Sequence, residues 1–210
     1  CAFDGRARED DQSENDANID FVSEADSDAL AQAVIDWKPD CIVVSPGIPA
    51  HHPIFSAAKN AGIELIGEVE LAWRLQEDSE HAGRPWLCVT GTNGKTTTVG
   101  MLGAMLRAAG ENAVEVGNIG LPICEAVDTD ATVFAVELSS FQLHTVSTVS
   151  PLASVCLNVD ADHLDWHGSA QAYAADKAKV YHLTQKACFY PASDITVENM
   201  VAEADVVEGA

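Results

Sequence analysis

"LCVTGTNGKTTTVG", residues 87–100, sets an apolar run, a glycine-bearing turn and a helix-like segment end to end. The common phosphate-binding pattern is G-x-x-x-x-G-K-[ST], and five places before Gly94 stands Val89, inside the apolar run, where that pattern has its first glycine. The cradle therefore begins only at Gly91. Glycines there and at 94 let backbone N–H groups turn inward, the helix N-terminus adds positive potential, Lys95 reaches the outer phosphates and the Thr96 hydroxyl can sit on Mg²⁺. Without the flanking strand and helix, the same letters would be a Gly-rich turn before an ordinary helix.

Short apolar runs alternate with helical spacing in both directions from this stretch, the arrangement of a mostly parallel sheet flanked by helices. Upstream, "DCIVVSPGIP" reads as a buried strand ending at Val44 and a turn, residues 52–62 as a helix stopped by Gly62, and residues 63–67 as the next strand. A short helix over 68–75 follows, and then the polar "QEDSEHAGRP", which places a domain boundary near residue 84. Downstream, a helix runs from about Lys95 to Ala109, closed by Gly110, with Val99, Leu102, Leu106 and Ala109 at helical spacing. Strands are expected within 112–116, 132–138, 152–159 and 187–190, and a helix over 169–183.

The bulk numbers exclude several classes. The 210 residues are 47% hydrophobic and 21% charged, enough for a core and one or two domains. No apolar run reaches the length of a membrane span, so no membrane insertion is expected. Nor does "CAFDGRARED" have the pattern of a signal peptide. The net charge of -22 argues against nucleic acid as a partner, because phosphate backbones are bound by clustered Lys and Arg. Six cysteines lie far apart, and those at 41, 88, 156 and 188 fall in or beside strand-like runs, as small buried hydrophobes of a reducing cytoplasm.

Three further places carry chemistry. Glu137 ends the apolar run "TVFAVEL", where a second strand of a nucleotide-binding sheet presents a carboxylate suited to hard Mg²⁺; a solvated strand-end glutamate is the alternative. Ser139, Ser140 and Gln142 follow, to reach a ligand or to cap the next turn. Asp162, His163, Asp165 and His167 fall past another strand end, at the sheet edge where open α/β folds bind ligands, though such a loop cluster can equally be plain surface. Lys177 shares a helical stripe with Tyr173, Val180, Tyr181 and Thr184, so its amine either snorkels to solvent or needs a partner or a modification.

Taken in order, "TGTNGKTTT", "GNIGLP", "ELSSFQL", "NVDADHLDWHG" and "YAADKAKVY" resemble the Mur ligases, the ATP-dependent amino-acid-adding enzymes of peptidoglycan synthesis. "ELSSFQL", with "VVSPGIP" and "GEVELAWR" upstream, is similar to the D-glutamate-adding branch of that family. The resemblance implies an incomplete Rossmann-like domain for UDP-substrate binding over 1–84 and a central P-loop-type ATP-binding domain over 85–210. The family's first strand and its C-terminal, amino-acid-binding domain have no counterpart in the sequence. Gly91, Thr92, Asn93, Gly94, Lys95, Thr96 and Thr97 would hold ATP. Thr96 would ligate one Mg²⁺, and Glu137, His163 and a carbamylated Lys177 a second.

UDP-N-acetylmuramoyl-L-alanine and D-glutamate would be the substrates, the former met by Asn118, Ser139, Gln142 and His163. Ser45, Pro46 and Gly47 would lie near its nucleotide end, with Asp4 and Arg6 as further contacts. Gly5 departs from the family by standing where a side chain able to contact the uracil is expected. Lys95, Glu137, His163 and Lys177 would carry the catalysis, in a cytoplasmic monomer. Relatives that add meso-diaminopimelate or lysine, folylpolyglutamate synthase, and a nucleotide-binding module without ligase chemistry are the rival readings.

Overall fold

The computed structural model describes residues 26–208 and, as backbone alone, residues 2–4 and 21–23. The chain divides into two compact units, residues 1–43 with 50–65 and residues 44–49 with 66–210.

In the first unit, β1 (Ala2–Asp4) and β2 (Phe21–Ser23) pair in parallel. Helix α1 (Ser27–Asp36) starts on Asp26, whose carboxylate accepts the Ala29 N–H, and buries Leu30, Ala31 and Val34 at helical spacing. Strand β3 (Cys41–Val44) follows; its alternating burial leaves Cys41 exposed, against the expectation of a buried thiol. Helix α2 (Pro53–Ala61) ends as the sequence predicts, on Gly62 in the left-handed region, and β4 (Glu64–Gly67) pairs with β3. Asp4 is described as backbone only, and Gly5 and Arg6 lie outside the described residues.

The second unit is built on a five-stranded sheet whose pairings are all parallel. Its strands are β5 (Trp86–Thr90), β6 (Ala113–Gly117), β7 (Val133–Glu137), β8 (Ala153–Cys156) and β9 (Ala187–Phe189), in the order β6-β7-β5-β8-β9. Such sheets are covered on both faces, so their inner strands are apolar throughout, and every residue of β7 is buried, including Glu137. One face packs Val89 and Ala135 against Val99 of α4 (Lys95–Ala108). Leu102 and Leu106 follow the predicted stripe, while Ala109 caps the helix and is exposed.

The opposite face sends Trp86, Cys88, Phe134 and Val136 into the main core. That core includes Val69, Ala72 and Trp73 of α3, which spans Glu68–Glu77. Trp73 meets Trp86 edge to face at 5.2 Å. Glu70 of the same helix accepts hydrogen bonds from the Ser147 and Thr148 N–H groups. Packing thus assigns α3 to the second unit and divides the chain before Ile66, earlier than the polar stretch near residue 84 suggests.

Four short helices went unread in the sequence: α5 (Ile123–Ala126), α6 (Ser140–Leu143), α7 (Leu164–His167) and, after β9, the longer α9 (Ile195–Ala202). The helix expected over 169–183 is α8 (Ala170–Ala178), continued by a 3₁₀ turn over Lys179–Tyr181. No helix among the described residues is long and apolar enough to cross a membrane.

Candidate functional site

Strand order places the site. β5 lies between β7 and β8, so the loop after it opens at the carboxyl edge between the ends of both neighbours. Gly91 has φ +155, and a Cβ there would come 3.1 Å from the Leu157 Cβ. Gly94 caps α4 in the left-handed region, which puts the loop's N–H groups at a helix N-terminus. The Lys95 ammonium folds back onto the loop, donating to the Gly91 carbonyl at 2.9 Å and the Thr92 carbonyl at 3.2 Å. Thr96 and Thr97 are exposed on the first turn of α4.

Asn158, just past β8, braces this loop and was not singled out by sequence. Its side-chain oxygen accepts the Asn93 N–H at 2.9 Å, its amide donates to the Asn93 carbonyl at 3.1 Å, and its backbone carbonyl accepts the Thr92 N–H at 3.0 Å. The Thr92 hydroxyl lies 2.9 Å from the Tyr173 hydroxyl and accepts the Asp160 N–H, joining the loop to α8.

Glu137 ends β7 beside this loop and is 1% exposed. One carboxylate oxygen, Oε1, accepts the Asn118 side-chain amide at 2.8 Å, while Oε2 is buried with no hydrogen-bond partner among the described residues. A buried carboxylate oxygen left unpaired is costly, and a divalent cation is a partner of the right charge and hardness. Asn118 follows β6, whose last residue, Gly117, has φ +105 and lies against the Glu137 carbonyl. Sheet pairing therefore brings together "GNIG" and "ELSSFQL", which the sequence offers as separate motifs.

Past Glu137 the chain turns into α6 through a reciprocal cap. The Ser139 hydroxyl accepts the Gln142 N–H and the Gln142 side-chain oxygen accepts the Ser139 N–H. His163 has φ +50 and starts α7; it is exposed, 3.5 Å from the Asp162 carboxylate, with Phe141 at 4.8 Å between ring centres. Asp162 and Asp165 are exposed as well, but His167 is buried, between Asp176 at 3.0 Å and Ser140 at 3.0 Å. Burial lowers its pKa and so favours the neutral ring, against the pull of Asp176 towards the charged form. Among the described residues no three His, Cys, Asp or Glu side chains converge as a metal cluster.

The amine of Lys177 does not snorkel. It is 1% exposed, lies 4.8 Å above the Tyr173 ring, and no carboxylate among the described residues is within ion-pair distance. Burial first, and then the charge of Lys95, lower its pKa from 10.5 to about 8. Its stripe partners Tyr173, Val180, Tyr181 and Thr184 are all buried, as their spacing predicts. Ser45, Pro46 and Gly47 form a tight turn after β3, closed by the Ile48 N–H on the Ser45 carbonyl at 3.0 Å. An apolar groove of about 560 Å³ runs along α4, lined by Met101, Met105, Val155 and Phe189 among others; it holds no charged side chain and is no place for phosphate.

Residues 89–207 match the Mur ligase middle domain, so the chain belongs to the Mur ligase family. Within that family, it is similar to curated proteins named UDP-N-acetylmuramoylalanine--D-glutamate ligase. It is 45% identical to that of Leifsonia xyli over 91% of this chain and 39% of the relative. It is 56% identical to that of Thermobifida fusca over 68% of this chain and 30% of the relative. The chain thus spans less than two fifths of the length of these relatives.

Solved structures share the fold at low identity. A UDP-N-acetylmuramoyl-L-alanyl-D-glutamate--2,6-diaminopimelate ligase matches with TM-score 0.53 and 18% identity, over 81% of this chain and 46% of that one. The MurF ligase from Thermotoga maritima, in complex with ADP, matches with TM-score 0.52 and 16% identity, over 80% of this chain and 47% of that one.

Proposed function

We propose that this chain is the ATP- and metal-binding part, with a portion of the substrate-binding part, of a ligase that adds D-glutamate to UDP-N-acetylmuramoyl-L-alanine in peptidoglycan precursor synthesis. Residues 85–210 serve ATP, and the chain before them serves the uridine nucleotide substrate. The observation that carries the reading is the carboxyl edge shared by the Gly91–Thr96 loop and Glu137, whose Oε2 is buried and unpartnered among the described residues. The names of the curated relatives favour D-glutamate as the amino acid.

In this reading, the substrate's terminal carboxylate attacks the γ-phosphorus of ATP and ADP leaves. The amine of D-glutamate then displaces phosphate from the acyl phosphate, losing a proton and forming the amide. The loop N–H groups and Lys95, released from the Gly91 and Thr92 carbonyls, hold the phosphates and stabilise the charge on the transferring group. Thr96 would hold one Mg²⁺ and Glu137, His163 and a carbamylated Lys177 the other; bound there, the ions neutralise phosphoryl oxygens. Asn118 keeps the Glu137 carboxylate oriented, and the Ser139–Gln142 turn faces the muramoyl substrate. Ser45, Pro46, Gly47, Asp4 and Arg6 serve its nucleotide end.

The setting of Lys177 supports carbamylation. An amine whose pKa is about 8 is partly neutral at physiological pH, and its nitrogen can bond to the carbon of CO₂, releasing a proton and leaving an anion. That anion resolves the problem of a buried ammonium beside Lys95. The enzyme is expected to act as a cytoplasmic monomer.

The test is an assay of the complete ligase containing this chain, offered D-glutamate, lysine or meso-diaminopimelate with UDP-N-acetylmuramoyl-L-alanine and ATP. ADP release should depend on D-glutamate. Lys177→Ala should abolish it and short carboxylates should restore part of it. Full activity of Lys177→Ala without rescue would remove the carbamate, and preference for another amino acid would overturn the specificity.

A further inference from the structure

We propose that Asp176 is a positioning residue that fixes the spacing of the metal-side groups by tying three helices to one carboxylate; the proposal rests on the ligase reading above. Asp176 precedes Lys177 on α8 and is 6% exposed. Its Oδ2 lies 2.8 Å from His144 Nδ1 and 3.0 Å from His167 Nδ1, and its Oδ1 accepts from the Lys179 ammonium at 3.1 Å. His167 Nε2 in turn lies 3.0 Å from the Ser140 hydroxyl. With hydrogen on both Nδ1 atoms, each imidazole donates to Asp176, and the Ser140 O–H donates to His167.

The network matters because of what it holds. Helices α6 and α7 have four residues each, too short to keep a conformation by their own hydrogen bonds. Each carries a group the site needs at one end and is anchored to Asp176 at the other. His163 stands at the start of α7 and His167 at its end. Ser139 and Gln142 belong to the cap of α6, Ser140 opens that helix and His144 closes it. Lys177 is the next residue on α8. One carboxylate therefore joins the elements that carry Ser139, His163 and Lys177.

Two simpler readings fit less well. A buried, charged network is a poor way to gain stability, since apolar side chains of similar volume usually do as well, whereas it does enforce one geometry. A nucleophilic Ser140–His167–Asp176 triad is disfavoured because Ser140 is 3% exposed and Asp176 is shared with His144 and Lys179.

The experiment is Mn²⁺ binding to the chain with ATP and bicarbonate, followed by electron paramagnetic resonance, with thermal unfolding as a check of folding. Asp176→Ala should weaken the second Mn²⁺ by about tenfold or more while ATP and the first Mn²⁺ bind as in the wild type. Ser140→Ala and His144→Gln, which each cut one arm, should weaken the same ion less. Unchanged second-ion affinity in a folded Asp176→Ala overturns the proposal. If that variant does not fold, unchanged affinity in both single-arm variants overturns it. A wild-type chain that takes up only one Mn²⁺ would instead refute the two-metal reading itself, and this proposal with it.

Discussion

Glu137 holds the Asn118 amide at 2.8 Å with one carboxylate oxygen and buries the other without a hydrogen-bond partner among the described residues. In the absence of metal that second oxygen costs stability, and under the proposed function it would supply a metal ligand. Glu137→Gln should therefore unfold no more easily than the wild type without ligands, but should lose the stabilisation that Mn²⁺ adds in the presence of ATP. For the wild type that gain is about 2.7 kcal/mol at a metal concentration a hundredfold above its Kd. Thermal unfolding with and without Mn²⁺ measures both, and an undiminished gain in the variant would exclude Glu137 as a ligand.

Lys95 donates to two loop carbonyls, both of which can be satisfied by water once the side chain is gone. Lys95→Ala should cost the fold only about 1 kcal/mol. ATP affinity should fall by about a hundredfold, because a phosphate charge loses its ionic partner in a partly desolvated loop. Titration with a fluorescent ATP analogue distinguishes the two losses. Unchanged affinity would take Lys95 out of the nucleotide site.

Gly117 and Gly110 both have positive φ, at +105 and +96, but their surroundings differ. A Cβ on Gly110 meets open space, whereas on Gly117 it would collide with the Glu137 carbonyl oxygen at 2.3 Å. Gly110→Ala should cost about 1 kcal/mol from the left-handed backbone alone. Gly117→Ala should cost about 3 kcal/mol or more, because β6 must move away from β7. Urea denaturation of the two variants compares them directly, and equal losses would mean that the collision is relieved without disturbing the sheet.

Glu70 sets an acid limit on stability. Burial pushes its pKa up, but the Thr148 hydroxyl, the Thr148 and Ser147 N–H groups and Arg74 outweigh that and hold the carboxyl below its usual range. The folded value thus lies below the unfolded one, about 4.3. The stabilisation is complete above the unfolded value and is lost as pH falls through the folded one, because the unfolded chain takes up the proton first. Glu70→Gln should be less stable than the wild type by about 2 kcal/mol at pH 7, with the gap narrowing towards pH 3. A gap that stayed constant over that range would show that the carboxylate's charge contributes nothing.

The loop, the strand before it and the helix after it were legible because they are local: Gly91, Gly94, Lys95 and the Val99–Leu102–Leu106 stripe lie within a few turns of one another in sequence. Lys177 was legible in part. Its helical stripe placed it inward, but only packing excluded snorkelling, since the choice depends on what covers the end of the side chain. The single-turn helices α6 and α7 escaped notice because four residues carry no measurable periodicity. Asn158, His144 and Asp176 escaped because what they do depends on partners 65, 32 and 9 residues away.

By itself, the sequence determined the α/β class, the phosphate-type loop and the ordered motifs that mark a Mur ligase, since each is written in neighbouring residues. Only the tertiary structure decided that β7 lies beside β5, so that the strand end at Glu137 adjoins the strand that leads into the loop, and that α3 packs with the sheet that follows it. Strand order and helix docking are set by which apolar faces bury one another across long separations. That competition leaves no local pattern to read.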